Sequence, residues 1–352
     1  MAKKEYYDIT NMLKTDAQFM ILLGQRTNGK SYQAKKTVVD RAYNHGEKFV
    51  YIRRWDNEVK AATAANYFLD CPIEELTEGK YDSAYARSGE IFLINSKNER
   101  PLEDKYAIGY YVALNVAVHK KSGVFPDVKW AIFEEFITSD AYIVDEAAEM
   151  MNLLSTFFRN NQGHVIMVGN TLSRVCPYFS YFCLTNVLHQ KQGTIEIYHH
   201  HTSDGDVVNI AVENCEQVTK KSNMFFGTAE RQIVAGEWDT REYPHLPRTQ
   251  LEYDMVYEVK LKYQLLEFVL QLMVEPKEGG LIVFIYPVTK KRKIYRLITD
   301  EFSDKPNVTH TLDDRIRPEA LMIDCFRRGK VCYATNLCGT DFNGVMNEMK
   351  IY

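Results

Sequence analysis

The chain has 352 residues, of which 45% are hydrophobic and 26% charged, and its formal net charge is −4 at pH 7. Since a single core rarely grows past about 250–300 residues, this length predicts one large and one small domain, and the composition excludes a disordered or fibrous chain. The charge argues against a protein coated in positive charge for nonspecific nucleic-acid binding, although a locally basic groove remains compatible with it.

Two further classes are disfavoured by the composition. No apolar stretch approaches the ~18 residues of a membrane span, and the first residues lack the apolar core of a signal peptide, so we expect a cytosolic protein without a membrane partner. The seven cysteines include no Cys-x-x-Cys pair. We therefore expect reduced cysteines in the core, with neither a disulfide framework nor a zinc site.

The most specific signal lies near the N-terminus. An apolar strand over 19–23 runs into Gly24-Gln-Arg-Thr-Asn-Gly-Lys-Ser31, and helix-compatible residues follow up to Gly46. The pattern G-x-x-x-x-G-K-S between a strand and a helix is a Walker A P-loop, whose backbone N–H groups bind the phosphates of ATP. Lys30 would reach the β- and γ-phosphates and Ser31 would hold Mg²⁺. The alternative, an exposed Gly-Lys turn, does not explain the buried strand.

The next elements alternate between strands and helices, which is typical of an α/β fold with a parallel sheet. The elements predicted before the acidic pair are a strand over 48–54, a helix over 60–69, a strand over 90–95, a polar insertion over 96–107 and a strand over 128–133.

The strand over 128–133 ends on two adjacent carboxylates, Glu134 and Glu135. Open α/β sheets place their chemistry at the carboxyl ends of the strands, and this pair fits a Walker B motif. Glu134 would hold Mg²⁺ through its water shell, and Glu135 would orient or deprotonate the attacking water. The first acid is usually Asp, so Glu134 is a departure from the pattern. An exposed acidic strand end is the alternative.

Two polar residues that follow the acidic pair in the chain are further candidates for the site. A predicted helix over 144–160 carries Arg159 in its last turn, and the strand over 164–169 ends at Asn170. Asn170 has the chemistry of a sensor for the γ-phosphate or the attacking water, with a strand-end cap as the alternative. Arg159 could stabilise transition-state charge in a neighbouring subunit's site, or could simply be a cation at the end of a helix.

After residue 201 the periodic pattern of strands and helices weakens and turn-forming residues accumulate. The strand over 193–198 is predicted to be the last of its domain, and His199-His200-His201 is not expected to bind a metal, because successive side chains of a strand point to opposite faces. The domains predicted are a P-loop ATPase domain over 1–201, a linker over 202–251 and a small α+β domain with an antiparallel sheet over 252–352. Its predicted elements are strands over 256–263, 268–274, 281–286, 293–298 and 331–334, and helices over 318–328 and 342–350.

In combination, these motifs resemble the genome-packaging ATPases (encapsidation proteins) of small phi29-like tailed phages, which are related to large terminase subunits and to additional-strand, catalytic-glutamate (RecA/FtsK-like) ring translocases. The segments that carry the resemblance are Gly24–Ser31, Phe49–Arg54, Ser122–Pro126, Phe133–Phe136, Thr156–Asn160 and Asn170–Phe179.

The resemblance implies roles for individual residues. Arg159 would be the finger that acts in trans, with Lys121 as a second candidate. The family's basic residue after the Arg53-Arg54 pair is not matched here, so Lys60 is only a tentative DNA contact. The ATP-binding residues expected are Gly24, Gln25, Arg26, Thr27, Asn28, Gly29, Lys30, Ser31, Tyr32, Arg53 and Arg54. The C-terminal domain would be RNase H-like with a degenerate nuclease site near Asp300, Glu301 and Asp304, and a basic run would contact nucleic acid: Lys290, Lys291, Arg292 and Lys293.

The function implied is that of a homomeric ring, expected to be a pentamer, which hydrolyses ATP with Mg²⁺ to move double-stranded DNA into a procapsid. It would act in the cytoplasm of the infected bacterial host and dock on the portal, with a packaging RNA as a further expected partner. Two alternatives stay open at this point. The C-terminal domain could be an active nuclease, or the chain could be a monomeric P-loop switch or kinase with DNA-independent activity.

Overall fold

The structure is a computed structural model that describes residues 6–117, 125, 127–159, 162–216, 238, 240–276, 279–289 and 294–352. The chain divides into two compact units. The first comprises Met1–Thr138, Tyr142–Thr171 and Asn186–Glu237, and the second comprises Ser139–Ala141, Leu172–Thr185 and Trp238–Tyr352. The chain therefore passes between the units more than once, which differs from the simple sequential division expected from the sequence.

The first unit is built on one nine-stranded sheet. Its strands β1 to β9 are Phe19–Leu23, Lys48–Arg53, Ser83–Arg87, Glu90–Ile94, Tyr106–Ala113, Val128–Glu134, His164–Val168, Thr194–His201 and Val207–Asn214. Its helices α1 to α6 are Thr10–Leu13, Lys30–His45, Ala61–Asn66, Ile73–Leu76, Leu114–Ala117 and Glu146–Phe157. The strand order is β3-β4-β5-β2-β6-β7-β1-β9-β8.

The middle of this sheet is parallel, and both of its edges are antiparallel. β1 pairs in parallel with β7 and β9, and β6 pairs in parallel with β2 and β7. β3, β4 and β5 pair antiparallel at one edge, and β8 pairs antiparallel with β9 at the other. The prediction of a parallel sheet thus holds only for the middle, and the sequence missed β3, β5 and β9.

β9 corrects the predicted end of the N-terminal sheet. Residues 207–214 lie inside the range expected to be a linker, yet they form a strand beside β1, with Ile210, Ala211 and Val212 buried. Asp204 and Gly205 before this strand make the turn of a hairpin, and the sequence reading took these turn formers as the start of a linker. The strand over 193–198 is therefore not the last of its sheet.

The middle strands are mostly apolar because both of their faces are covered, as is usual in parallel sheets. Met20 to Leu23 in β1 and Ala131 to Phe133 in β6 are almost inaccessible to solvent. The helix α2 buries Ala34, Val38 and Ala42, which recur at helical spacing. Gly46 ends α2 in a left-handed conformation with φ 71°, as a glycine at this position permits.

The second unit contains a six-stranded sheet. Its strands β10 to β15 are Asp254–Tyr263, Leu266–Val274, Leu281–Pro287, Leu297–Thr299, Val308–Thr309 and Val331–Tyr333, and its helices α7 to α9 are Pro177–Tyr181, Arg317–Arg327 and Asn336–Met349. The order is β14-β13-β10-β11-β12-β15. β10, β11 and β12 are antiparallel as predicted, whereas the short strands β13, β14 and β15 pair in parallel with their neighbours.

The C-terminal helix begins earlier than the predicted start at residue 342. Thr335 precedes it, and the Thr335 hydroxyl accepts a hydrogen bond from the N–H of Cys338, so that α9 starts at Asn336. Gly339 and Gly344 lie inside this helix and weakened the helical signal of the sequence.

Along the described residues, no helix is both long and apolar enough to cross a membrane. All seven cysteines are free thiols, and six of them are buried, but Cys183 is exposed, which corrects the expectation that all seven lie in the core.

Candidate nucleotide-binding site

The phosphate-binding loop lies between β1 and α2, and its shape depends on its glycines. Gly24 and Gly29 have φ values of 139° and 99°, which are strained for residues with a Cβ atom. A Cβ on Gly24 would lie 3.1 Å from the carbonyl oxygen of Cys215, and one on Gly29 would lie 3.2 Å from the Cβ of Tyr6. Any side chain at either position would therefore disturb the loop.

Lys30 is held inside this loop. It is only 3% exposed, its Nζ donates to the carbonyl oxygen of Gln25, and it lies 3.3 Å from Oδ1 of Asn28 and 3.5 Å from Oδ1 of Asn170. Burial lowers the pKa of Lys30 to about 8. Among the described residues no carboxylate forms an ion pair with it, so an anion bound here would meet an uncompensated cation and raise its pKa again.

Asn28 supplies the clearest sign that the loop binds a ligand. It is 1% exposed, and its Oδ1 accepts a hydrogen bond from the N–H of Lys30 at 3.2 Å. Its Nδ2 is buried and has no hydrogen-bond partner in the described part of the chain. A buried donor without an acceptor costs about 1–3 kcal/mol, and a phosphate oxygen would satisfy it.

A pocket of about 720 Å³ opens over the loop. This volume is typical of small-molecule sites and sufficient for a nucleotide. Its lining includes most of the predicted ATP-binding residues and, of the predicted catalytic residues, the carboxylate and the amide: Tyr6, Gln25, Arg26, Thr27, Asn28, Gly29, Lys30, Ser31, Tyr32, Asp70, Glu135 and Asn170.

Glu134 and Ser31 form the side of the site that suits a metal ion. The Ser31 hydroxyl donates to Oε2 of Glu134 at 3.1 Å, and the Tyr67 hydroxyl donates to Oε1 at 2.5 Å. Glu134 is 5% exposed, and burial raises the pKa of its carboxyl group. Hydroxyl and carboxylate oxygens are the ligands that Mg²⁺ prefers, so the donor set present here fits the ion.

Glu135 faces the pocket from the end of β6. Its side chain is 54% exposed, and its backbone has φ 55°, a left-handed conformation that is unusual for Glu and turns the chain sharply after β6. Nη2 of Arg53 lies 2.7 Å from Oε2 of Glu135 and 3.5 Å from the carboxylate of Glu58. The adjacent carboxylates Glu134 and Glu135 are thus separated into a buried group and a group open to the pocket.

Arg54 differs from its neighbour Arg53 and corrects a prediction. Its Nε and Nη2 donate to the two carboxylate oxygens of Glu146 at 2.8 and 3.0 Å, and Nη2 also donates to the carbonyl oxygen of Phe136 at 2.7 Å. Arg54 and Glu146 are 4% and 1% exposed, and Arg54 does not line the pocket. Arg54, predicted to contact ATP, instead joins the end of β2 to the start of α6 and to the backbone after β6.

The remaining predicted residues are spread along the chain. Arg159 is exposed in the turn after α6 and does not line the described pocket. Lys60 is exposed at the N-cap of α3. The residues that lie outside the described part of the chain are Lys121, Lys290, Lys291, Arg292 and Lys293.

The sequence reading missed Tyr6, Tyr67 and Asp70. The N-terminal segment folds back onto the P-loop, where the N–H of Tyr7 donates to the carbonyl oxygen of Asn28 at 3.0 Å, and this brings Tyr6 to the pocket. Tyr67 and Asp70 follow α3. No motif marks these residues, because each reaches the site by a tertiary contact.

The chain is similar to proteins of known families. The sequence model of the podovirus DNA encapsidation protein family matches residues 1–340. The DNA packaging protein of Bacillus phage phi29 is 32% identical over 188 residues, which are 52% of this chain and 52% of that protein. The DNA packaging protein of Bacillus phage B103 is 33% identical over 177 residues, 49% of this chain and 50% of that protein. The chain thus spans about half the length of the curated relatives it matches.

Solved structures show the same fold over nearly the whole chain. A chain of the bacteriophage phi-29 viral genome packaging motor assembly has a TM-score of 0.58 and 21% identity, and the match covers 98% of this chain and 99% of that one. A chain of the phi-28 DNA packaging motor has a TM-score of 0.52 and 16% identity, and covers 99% of each. At these identities the likeness is one of fold.

Proposed function

Because the chain belongs to the podovirus DNA encapsidation protein family, we propose that it is an ATPase that moves double-stranded viral DNA into a procapsid. The proposal rests on one observation. Lys30 and Ser31, at the start of α2, lie in the same site as Glu134 and Glu135, at the end of β6. A phosphate cradle, a place for a metal ion and a carboxylate open to the pocket are what ATP hydrolysis requires.

The strand order supports membership of the additional-strand, catalytic-glutamate class. β7 lies between the P-loop strand β1 and the acidic strand β6. Asn170 lies two residues after the end of β7, and its Oδ1 lies 3.5 Å from Nζ of Lys30. An amide at this position can contact both the terminal phosphate and the attacking water.

We assign one role to each side chain of the site. Lys30 and Asn28 bind the phosphate oxygens, with Arg26, Thr27 and Tyr32 around them, and Tyr6 offers a half-exposed ring for the base. Ser31 and Glu134 are the residues that would hold Mg²⁺, and the ion would neutralise phosphate charge when bound. Glu135 accepts the proton of the attacking water, while Arg53 keeps its carboxylate in place.

A substitution at Glu135 tests the assignment. Glu135→Gln should keep the affinity for a non-hydrolysable ATP analogue and lower hydrolysis by about 10²–10⁴-fold, because the side chain keeps its shape but loses its basicity. Lys30→Ala should lose binding. The exposed Glu103→Gln is the control and should match the wild type.

The same assay discriminates between a motor and a switch. Hydrolysis by a motor should rise when DNA and procapsids are added. A monomer whose hydrolysis is unaffected by both would instead support the P-loop switch or kinase. The homomeric ring, expected to be a pentamer, the portal and packaging RNA as partners and the cytoplasm of the infected host all belong to this proposal, as does a tentative DNA contact at Lys60.

For the second unit we propose docking without nuclease activity. Glu301, one of the three acids considered for a nuclease, receives a hydrogen bond from Nζ of Lys262 at 2.6 Å. No group of three or more His, Cys, Asp or Glu side chains in the described part of the chain is arranged to hold a metal. Plasmid incubated with the protein and Mn²⁺ should stay intact, whereas cleavage that is lost in Asp300→Ala would make the unit a working nuclease.

A further inference from the structure

Tyr67 connects the segment after α3 to the metal side of the nucleotide site. Its hydroxyl donates to Oε1 of Glu134 at 2.5 Å, while the Ser31 hydroxyl donates to Oε2 at 3.1 Å. Among the described residues, no Lys or Arg forms an ion pair with Glu134. This buried carboxylate is therefore oriented by two hydroxyl groups, of which only Ser31 belongs to the P-loop.

Three side chains fix the position of the Tyr67 ring. Tyr51 of β2 stacks on it, with ring centroids 4.4 Å apart and planes 13° from parallel. Phe68 meets its edge at 5.0 Å. Nζ of Lys35, from the second turn of α2, lies 4.4 Å from the ring centroid.

Lys35 also fastens the segment that carries Tyr67. Its Nζ donates to the carbonyl oxygen of Tyr67 at 2.7 Å and pairs with the carboxylate of Asp70 at 2.5 Å. Lys35 lies four residues after Ser31, and residues spaced in this way share one face of a helix. One face of α2 thus holds both the predicted metal ligand and the segment that supports its partner Glu134.

We propose that Tyr67 is a positioning residue for the metal side of the site: its hydroxyl fixes one oxygen of Glu134 so that the other faces Ser31 and the ion's water shell. The inference rests on the proposed ATPase function. It also gives a physical reason for Glu134 at a position where Walker B motifs usually have Asp. A longer side chain has one more rotatable bond, and the hydroxyl of Tyr67 removes the freedom that this bond adds.

Residues that orient metal ligands in this way typically contribute 10–100-fold to metal affinity. The hydroxyl can be removed alone, because Phe keeps the ring that Tyr51, Phe68 and Lys35 contact. A defect in Tyr67→Phe would therefore report on the hydrogen bond to Glu134 and not on the packing of the ring.

The test measures binding of a non-hydrolysable ATP analogue by calorimetry, with Mg²⁺ and with EDTA. For the wild type, Mg²⁺ should strengthen binding. For Tyr67→Phe, we expect the affinity in EDTA to be unchanged and the strengthening by Mg²⁺ to fall by about 10-fold or more. Tyr81→Phe, which removes the hydroxyl of a buried tyrosine in the core against which Tyr67 packs, is the control and should behave as the wild type.

A double-mutant cycle shows whether Tyr67 acts through Glu134. The shorter side chain of Glu134→Asp cannot reach both hydroxyl groups, so adding Tyr67→Phe to this variant should have no further effect on Mg²⁺-dependent binding. Additive losses would overturn the proposal, as would a Tyr67→Phe protein with the full Mg²⁺ effect. If the wild type bound the analogue without any effect of Mg²⁺, the proposed ATPase site would fail, and this inference with it.

Discussion

Two adjacent arginines at the end of β2 show how burial separates the roles of identical residues. The side chain of Arg53 is 17% exposed and pairs with the half-exposed Glu135, whereas that of Arg54 is 4% exposed and pairs with a Glu146 side chain that is fully buried. Breaking a buried pair leaves a charge without compensation, which costs far more than the loss of a pair in contact with water.

We therefore predict different consequences for the same substitution at these two positions. Arg54→Met should lower the free energy of unfolding by about 3 kcal/mol or more, because the buried carboxylate of Glu146 loses the positive charge of Arg54. Arg53→Met should cost less than about 1 kcal/mol, because Glu135 can be solvated. Urea unfolding of both variants measures the difference. An Arg54→Met protein with unchanged stability and weaker ATP-analogue binding would instead restore the original prediction of a nucleotide contact.

The site residues that could be predicted are those whose chemistry is local in sequence. Gly24, Gly29 and Lys30 lie within one motif because the phosphate is bound by one turn of chain, and Glu135 follows directly from the strand that precedes it. Tyr67 could not be predicted. Its part in the site depends on the stacking with Tyr51 and on the contact with Lys35, and the sequence encodes neither as a motif.

Whole strands and helices, too, could be predicted where their signal is local in sequence and not where it depends on tertiary contacts. β1, β2 and β6 were predicted because strands covered on both faces need continuous apolar runs. β3 and β9 were not predicted. Most side chains of the edge strand β3 are partly exposed, so it has no continuous apolar run, and β9 follows turn formers that suggest a linker instead of a strand paired with β1. β9 pairs with β1, which is distant in the chain, and the start of α9 is determined by the single cap at Thr335.

The helix α9 contains a buried acid whose titration should affect the second unit. Oδ2 of Asp341 accepts a hydrogen bond from Nη1 of Arg174 at 2.9 Å. Burial raises the pKa of Asp341 to about 6, although the charge of Arg174 acts in the opposite direction. The folded state therefore binds this proton more tightly than the unfolded state, whose carboxyl has the ordinary value of 3.8.

Because the folded state binds the proton of Asp341 more tightly than the unfolded state, protonation of Asp341 stabilises the fold. Asp341 favours the folded state at low pH, and this contribution is lost as the pH rises from about 4 to about 6, a change on the order of 2 kcal/mol. Asp341→Asn removes the titration. Hydrogen exchange of Asn336–Met349, compared between the two proteins at each pH, should show the wild type losing stability relative to the variant over this range. A constant difference would contradict the assignment.

At the scale of the whole molecule, the described part of the candidate site lacks an arginine placed to stabilise transition-state charge. The described residues that line the pocket include one arginine, Arg26, and it is exposed within the P-loop. Arg159 lies in the turn after α6, outside the pocket lining. We propose that Arg159 stabilises transition-state charge in the site of a neighbouring copy, the role expected of it from the sequence. Rings of identical subunits provide such a neighbour through a head-to-tail interface.

A mixture of two inactive variants tests this arrangement. Arg159→Ala subunits keep Glu135 but lack the finger, and Glu135→Gln subunits keep the finger but lack the base, so rings of either variant alone should be nearly inactive. In mixed rings, a junction regains both groups when an Arg159→Ala subunit provides the site and a Glu135→Gln subunit provides the finger. Random mixing in equal amounts gives this order at roughly a quarter of the junctions of a head-to-tail ring, and hydrolysis should recover toward that fraction of the wild-type rate. If Arg159 acted within its own subunit, every subunit would lack one of the two groups, and the mixture would be as inactive as its components.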